Sequence, residues 1–441
     1  MTAVSGVYAR RRARFLKSLG NDGVAILPTN EESSRNGDAH YPFRVASNFF
    51  YLTGFSEPGA LAVFIGGTSA AKQGFILFCR DKDPEKEIWD GYRAGQEGAV
   101  AVYGATAAFS IDEIDERIPE LLLGRSRLYL PMTSADGWRS QIMDWLSEAG
   151  TKIRSGASVP AECVAIESIL HEMRLRKDRE EISAMRKAAQ ISAAAHCLAM
   201  KKCQPGVYEY ELEAELIYEF KRNGADAPAY SSIVGGGANA CVLHYIENKS
   251  VLKNGDLVLI DAGAEWGTYA ADITRTFPVN GRFSPAQGAI YEIVLKAQEA
   301  AIAKIRPGVA WNVPHDTAVK ILTQGLVALR LLKGEIKELI KKEAYRRFYM
   351  HKTGHWLGLD VHDVGEYRVN GKWRKFEPGM VLTVEPGLYI PENSKGIAKK
   401  WWNIGIRIED DVLVTRKGCD VLSRGVPKKI VEIERLMGSA G

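Results

Sequence analysis

At 441 residues the chain is too long for one compact core, so two domains are expected. Its 46% hydrophobic and 25% charged content excludes a disordered polymer, and a formal net charge of +4 gives no basis for nucleic-acid binding without a local basic patch. No run approaches the roughly 18 apolar residues that a membrane span needs.

The one basic cluster near the start, Arg10, Arg11, Arg12 and Arg14, falls in a helical stretch. Lys17, Ser18, Gly20, Asn21 and Asp22 interrupt any apolar region after it, so a solvated helix face is expected rather than a targeting peptide. Apolar runs at Val24–Leu27, Leu61–Ile65, Gly74–Cys79 and Arg127–Leu130 alternate with helical stretches, the pattern of an α/β domain. Six cysteines are scattered without a CxxC pair, which fits reduced thiols and a cytoplasmic address.

The charged segment His171–Asp178 ends this unit. Asp178 with Glu181 reads as a capping box opening a helix with Ile182, Met185 and Ala189 on its inner face, and Gln204-Pro205-Gly206 closes it. The expected domains are 1–174 and 175–441. In the second, helices are expected at 178–203, 208–224, 286–305 and 315–333. Strands are expected at Asp256–Ala264, Thr268–Val279, Met380–Ile390 and Ile404–Val414.

Those strands carry residues that strands avoid. Asp261 ends the apolar run Leu257–Ile260, and Asp272 lies in the next strand. If the hairpin turns at Trp266-Gly267, the two aspartates face each other with Cβ atoms about 5 Å apart. Each alone is explained blandly, Asp261 as a strand breaker and Asp272 as a cap with Thr274. As an opposed pair they repel in an apolar setting and need either a shared proton or a cation, and the cation is favoured.

More acceptors follow. His351, His355 and His362 fall within twelve positions among glycines, without the glutamate of a zincin helix. Glu385 interrupts an apolar strand before Pro386-Gly387, and alternation places Arg407 and Glu409 on one face with Ile406 and Ile408 on the other. Taken singly, each has a structural explanation, a packed core histidine or an ion pair. Asp261, Asp272, His355, Glu385 and Glu409 together form an oxygen-rich set suited to two divalent cations. Manganese is favoured, with cobalt, iron and zinc as alternatives.

The motifs DLVLIDAG…DITRTFPV, GHWLGLDVHDVG, VLTVEPGLYI and IRIEDDVLV resemble, in order and spacing, those of the M24 "pita-bread" metallopeptidases, most closely the aminopeptidase P group. His40–Phe55 and Ile88–Gln96 resemble its N-terminal domain, so the resemblance spans the chain. It implies a creatinase-N-like α/β domain followed by an α+β pita-bread catalytic domain. It also implies hydrolysis of an N-terminal Xaa-Pro bond by a hydroxide bridging two metals.

In the resemblance Asp261, Asp272, His355, Glu385 and Glu409 are metal ligands. Asp272 and Glu409 bridge, and Glu385 doubles as general base. His244 and His362 contact the scissile group or carry a proton, with Arg407 and Tyr389 supporting them. Tyr230 and His351 line the substrate pocket. Asp38 and Trp89, and more weakly Arg154, reach a site in a homo-oligomer. The stretch Pro391–Asn403 departs from the pattern, which leaves one pocket wall undefined. Prolidase shares the ligands but takes only dipeptides, creatinase-like enzymes lack them, and a catalytically dead binding scaffold is the remaining alternative.

Overall fold

Six apolar runs of the first third assemble into one mixed sheet. Its order is Ala107–Ser110, Gly74–Cys79, Leu61–Ile65, Gly23–Pro28, Arg127–Leu130, Glu162–Ala165. The middle three strands form an antiparallel meander, and the outer ones add in parallel. Every residue of Gly23–Pro28 is buried, as a continuous apolar run covered on both faces requires. The computed structural model describes residues 6–67, 69, 74–133 and 136–438. It divides the chain into two compact units, Met1–Met173 and Arg174–Gly441.

The first helix, Gly6–Ser18, departs from the expected solvated basic face. Arg10 and Arg14 are exposed, but Arg11 and Arg12 are buried. Their guanidiniums donate to the carbonyls of Tyr51 and Leu52, at the C-terminal end of the helix Ser47–Thr53. They also lie over the rings of Tyr51 and Phe75. Carbonyls in a last helical turn lack intrahelical donors, so cations there satisfy them and meet the negative end of the helix dipole.

The second unit opens with the helix Arg179–Lys202. The capping box is present in both directions, with Asp178 and Glu181 each accepting the other's backbone N–H at 2.9 Å. Met185 and Ala189 are buried on the inner face, while Ile182 is half-buried. Helices Glu209–Arg222, Pro285–Ile302 and Asn312–Ala328 follow. The last begins earlier than expected because Pro314 fits a first turn, where its missing N–H has no partner to lose. It also ends earlier, with Arg330 at a φ of 60°.

Each long strand expected here is two shorter ones. Leu257–Asp261 and Ala264–Trp266 flank Ala262-Gly263, and Tyr269–Ala270 and Thr274–Pro278 flank Asp272. Val381–Val384 and Gly387–Ile390 flank Glu385, and Ile404–Arg407 and Asp410–Val414 flank Glu409. The ladders break where the acids stand.

Leu257–Asp261 is the centre of an antiparallel sheet with Ile233–Gly236 and Thr274–Pro278, and Asp410–Val414 is the centre of another with Val381–Val384 and Cys419–Val421. The hairpin register differs by two residues from that expected: Asp261 pairs with Thr274, and Trp266 pairs with Tyr269. The turn is Gly267-Thr268, both at positive φ (58° and 67°), the two-residue geometry that matches strand twist. A shift of two leaves each side chain on its own face, so Asp261 and Asp272 still converge, as diagonal rather than opposed neighbours.

Removing the Asp178 carboxylate by Asp178→Ala should cost about 1 kcal/mol. A lowered denaturation midpoint with unchanged metal binding is the expected result.

Candidate active site

The hairpin delivers Asp261 and Asp272, both nearly buried, to the floor of a cavity of about 1020 Å³. Ala229 N–H bonds Gly263 O, which sets Tyr230 beside the hairpin. The Tyr230 hydroxyl then lies 2.6 Å from Oδ1 of each aspartate. Arg407 approaches from the strand Ile404–Arg407. Its Nη2 donates to Asp261 Oδ2 at 2.6 Å, its Nη1 to the Tyr389 hydroxyl at 3.0 Å, and its Nε to Thr274 Oγ1 at 3.1 Å. Thr274 in turn donates to Glu409 Oε2 at 2.6 Å. It is a relay between Arg407 and Glu409, not a cap for Asp272.

Glu409 stands where the chain leaves one strand for the next. Its N–H bonds Thr274 O, and its carbonyl accepts from the buried Arg275, which also pairs with Asp410. His355 is set by Thr383 in the strand Val381–Val384, whose N–H donates to His355 O and whose Oγ1 accepts from His355 N–H. Its Nδ1 faces Trp356 O at 2.9 Å and must donate there, because a carbonyl only accepts. Nε2 is thereby aimed at Asp272 Oδ2 (3.3 Å) and Glu385 Oε1 (3.9 Å). His351 Nδ1 donates to Lys352 O, and its Nε2 accepts from Tyr389. The ring of His362 stands 4.3 Å from that of His355, edge to face. His244 and His362 both line the cavity.

Charge in this cluster is unbalanced. Burial raises the pKa of Asp261 against the pull of Arg407. Burial also lifts Glu385 to about 7. Glu409 is driven well above the carboxylate range by burial and by the charges of Asp272, Glu385 and Asp261. Asp272 is lowered: burial opposes its charge, but the bond to His355 prevails. Burial likewise opposes charge on His355, and Asp272 with Glu385 overcomes it, to about 9.

Four carboxylates that one guanidinium and one imidazole cannot neutralise form a donor set for cations. Asp272, His355 and Glu409 each present a ligand atom, all within 4.8 Å of one another, and Asp261 and Glu385 flank them. The residues fit divalent metal.

A family model described as metallopeptidase family M24 matches residues 183–416, and one described as aminopeptidase P, N-terminal domain, matches residues 8–129. The chain belongs to the M24 metallopeptidases, in the aminopeptidase P group. It is 44% identical to an Xaa-Pro aminopeptidase of Escherichia coli, covering 98% of each chain. It is 33% identical to human Xaa-Pro aminopeptidase 3, over 98% of this chain and 86% of that one. Among solved structures, aminopeptidase PepP of Pseudomonas aeruginosa matches with a TM-score of 0.97 and 53% identity, over 100% of this chain and 99% of the other. Zinc-substituted Escherichia coli aminopeptidase P in complex with product matches at 0.96 and 43%, over 100% of each chain. The fold is thus the aminopeptidase P N-terminal domain followed by the pita-bread domain.

Of the sequence-derived candidates in the second unit, all but Tyr389 line this cavity, and Tyr389 lies buried behind it, bonded to Arg407 and His351. Asp38, Trp89 and Arg154 belong to the first unit and are exposed there. Asp38 lies between Ser34–Asn36 and Ala39–His40, Trp89 on the helix Pro84–Asp90, and Arg154 in the turn Lys152–Ser155. Sequence reading passed over Trp311 and His315, which line the cavity, and Thr353, to which both His315 Nδ1 (2.8 Å) and the Tyr349 hydroxyl (2.6 Å) are bonded. An ordinary helical turn carries Trp311 and His315, and only tertiary packing marks them.

Protons and metal compete for the same atoms, which sets a pH dependence. In the metal-free protein the folded pKa of Glu385 (about 7) lies above its ordinary 4.5, and that of His355 (about 9) above 6.5. Each contribution is fully present below the ordinary value and lost as pH climbs through the folded one. Metal-free protein should therefore lose stability through this cluster from about pH 4.5 to about pH 9, while cation affinity rises over that window. Denaturation midpoints with chelator and with metal, compared across that range, measure it; a metal increment independent of pH would contradict it.

Proposed function

We propose that the protein removes the N-terminal residue from peptides whose second residue is proline. The observation that carries this reading is the buried acid cluster on the floor of a cavity of about 1020 Å³. That volume is at the upper end of the usual ligand-site range, about 300–1,000 Å³. It leaves room for peptide beyond a dipeptide and favours an aminopeptidase over prolidase. The names of the relatives agree with it.

Bound in this donor set, two divalent cations would supply a nucleophilic hydroxide at neutral pH and polarise the scissile carbonyl. Manganese is the best match to four carboxylates and one imidazole, with cobalt, iron and zinc as alternatives. Asp261, Asp272, His355, Glu385 and Glu409 would hold the two cations. Glu385 takes the proton of the attacking water and passes it to the leaving nitrogen. His362 and His244 bond the scissile group. Arg407, locked on Asp261 and Tyr389, keeps one cationic fork behind the cluster. Proline lacks an amide N–H, so its subsite needs apolar surface and no acceptor, which the rings of His351, Tyr230 and their neighbours offer.

The helix Pro84–Asp90 supports a homo-oligomer, since Ile88, Trp89 and the adjacent Tyr92 are 80%, 86% and 91% exposed, a patch suited to a second copy. Asp38 and Trp89 would then serve a site in that assembly. Six free cysteines support a reducing, cytoplasmic setting, and no helix among the described residues is long and apolar enough to cross a membrane. We take 1–174 as the assembly domain and 175–441 as the catalytic one.

The test is metal-supplemented cleavage of Xaa-Pro dipeptides, Xaa-Pro tripeptides and their Xaa-Ala counterparts. Tripeptides with proline second should lose their first residue, and alanine analogues should react far more slowly. Cleavage of dipeptides alone would make the enzyme a prolidase, and equal use of alanine would end the proline specificity. Absence of stoichiometric metal and of turnover would favour a binding scaffold. Glu385→Gln, assayed at full metal loading, should lose at least about 10²-fold in turnover; normal turnover would place the base elsewhere.

A further inference from the structure

His362 lies on a short turn whose anchoring the reaction does not itself explain. The turn runs from Gly358 to Gly365, and only Val361 and His362, its two middle residues, line the cavity between Asp360 and Asp363. One guanidinium holds both flanking acids: Arg174 Nη2 donates to Asp360 Oδ2 at 2.7 Å and to Asp363 Oδ1 at 2.5 Å. Lys177 Nζ takes the other oxygen of Asp363 at 2.8 Å. Asp363 N–H returns to Trp356 O, and Gly358 N–H to Asp360 O.

The packing is tight. A Cβ at Gly358 would fall 2.1 Å from Asp363 Oδ2 and 2.9 Å from Lys177 Cε. Lys177 is itself fixed, its N–H bonding Gly379 O at 2.8 Å.

The side chains of Arg174, Lys177 and Asp363 are only 3%, 1% and 1% exposed. Burial alone would raise the Asp363 carboxyl, yet Lys177 and Arg174 hold it below the ordinary carboxylate range. A buried ion cluster contributes little net stability, because desolvation cancels most of its attraction, so what this one supplies is sought in the geometry it fixes. Here the geometry fixed is that of the two residues facing the substrate.

We infer that Asp363, stapled by Arg174 and Lys177, is a positioning residue that holds the His362 imidazole over the scissile bond. This rests on the proposed peptidase reading, in which His362 contacts substrate. Asp363 touches no reacting atom. It acts through the turn, and displacing the ring by about 1 Å is the kind of error that costs up to about 10²-fold in rate.

The test is a double-mutant cycle on metal-loaded protein with an Xaa-Pro tripeptide. Asp363→Asn should lower kcat about 10- to 100-fold with both metals bound and KM changed by less than about threefold. In the background of His362→Ala, the same substitution should cost less than about twofold, because the ring it positions is gone. Asp363→Asn leaves two buried cations underpaired and can fail to fold. Asp360→Asn is therefore run alongside, since the Asp360 side chain is 44% exposed and its loss removes one arm of the staple only. It should show a smaller kcat loss that also vanishes in the His362→Ala background.

Losses that multiply with His362→Ala in either pair, or loss of metal from the Asp360 variant, would overturn the inference. If the wild-type protein cleaves no tripeptide, the aminopeptidase reading fails instead, and the cycle separates the two.

Discussion

Asp261, Asp272 and Glu409 are buried with half-buried Glu385 beside them, and the mutual repulsion of these four carboxylates is the constraint around which the second unit is organised. Desolvation and like charge both oppose ionisation, and among the described residues only Arg407 and His355 serve as direct counter-charges. The backbone yields to this demand. Sheet ladders that would run uninterrupted on sequence grounds break at each of these acids, which frees the side chains to point inward while apolar neighbours such as Ile260 and Ile408 stay in the core. Divalent cations held by these acids would remove the repulsion that the fold has to build, which would link folding to metal binding.

Arg407 shows how one residue connects the parts. It reaches Asp261 on one sheet, Tyr389 on the neighbouring strand and Thr274, which passes the contact on to Glu409. Its position at the end of Ile404–Arg407 is reinforced by Thr276, which accepts from Arg407 N–H and donates to Arg407 O. Tyr389 then fixes the acceptor nitrogen of His351. The chain of donors runs one way, from guanidinium to phenol to imidazole, so the tautomer of His351 is set from the metal side.

The acids were legible in the sequence because an acidic residue inside an apolar strand contradicts its surroundings, and that contradiction survives whatever the loops do. The register was less so. Trp266-Gly267 and Gly267-Thr268 are both plausible turns, and only the positive φ of Thr268, unusual for a β-branched residue, decides between them. The burial of Arg11 and Arg12 left no trace in the local pattern, because the carbonyls they satisfy belong to a helix about 40 residues away. Trp311, His315 and Thr353 were invisible for a similar reason: each is unremarkable along the chain and acquires its place only when the helix Asn312–Ala328 packs beside the His351–His355 segment.

The two-residue turn at Gly267-Thr268 also limits how this hairpin can vary in length. An inserted or deleted residue between Asp261 and Asp272 that no wider turn or bulge absorbed would rotate everything beyond it by one pleat and send Asp272 to the opposite face, away from His355 and Glu409. Two residues would preserve the face and change only the reach of the loop. An odd change in length must therefore be taken up within the turn or as a bulge, a demand set by the pleat and by the carboxylate at its far end.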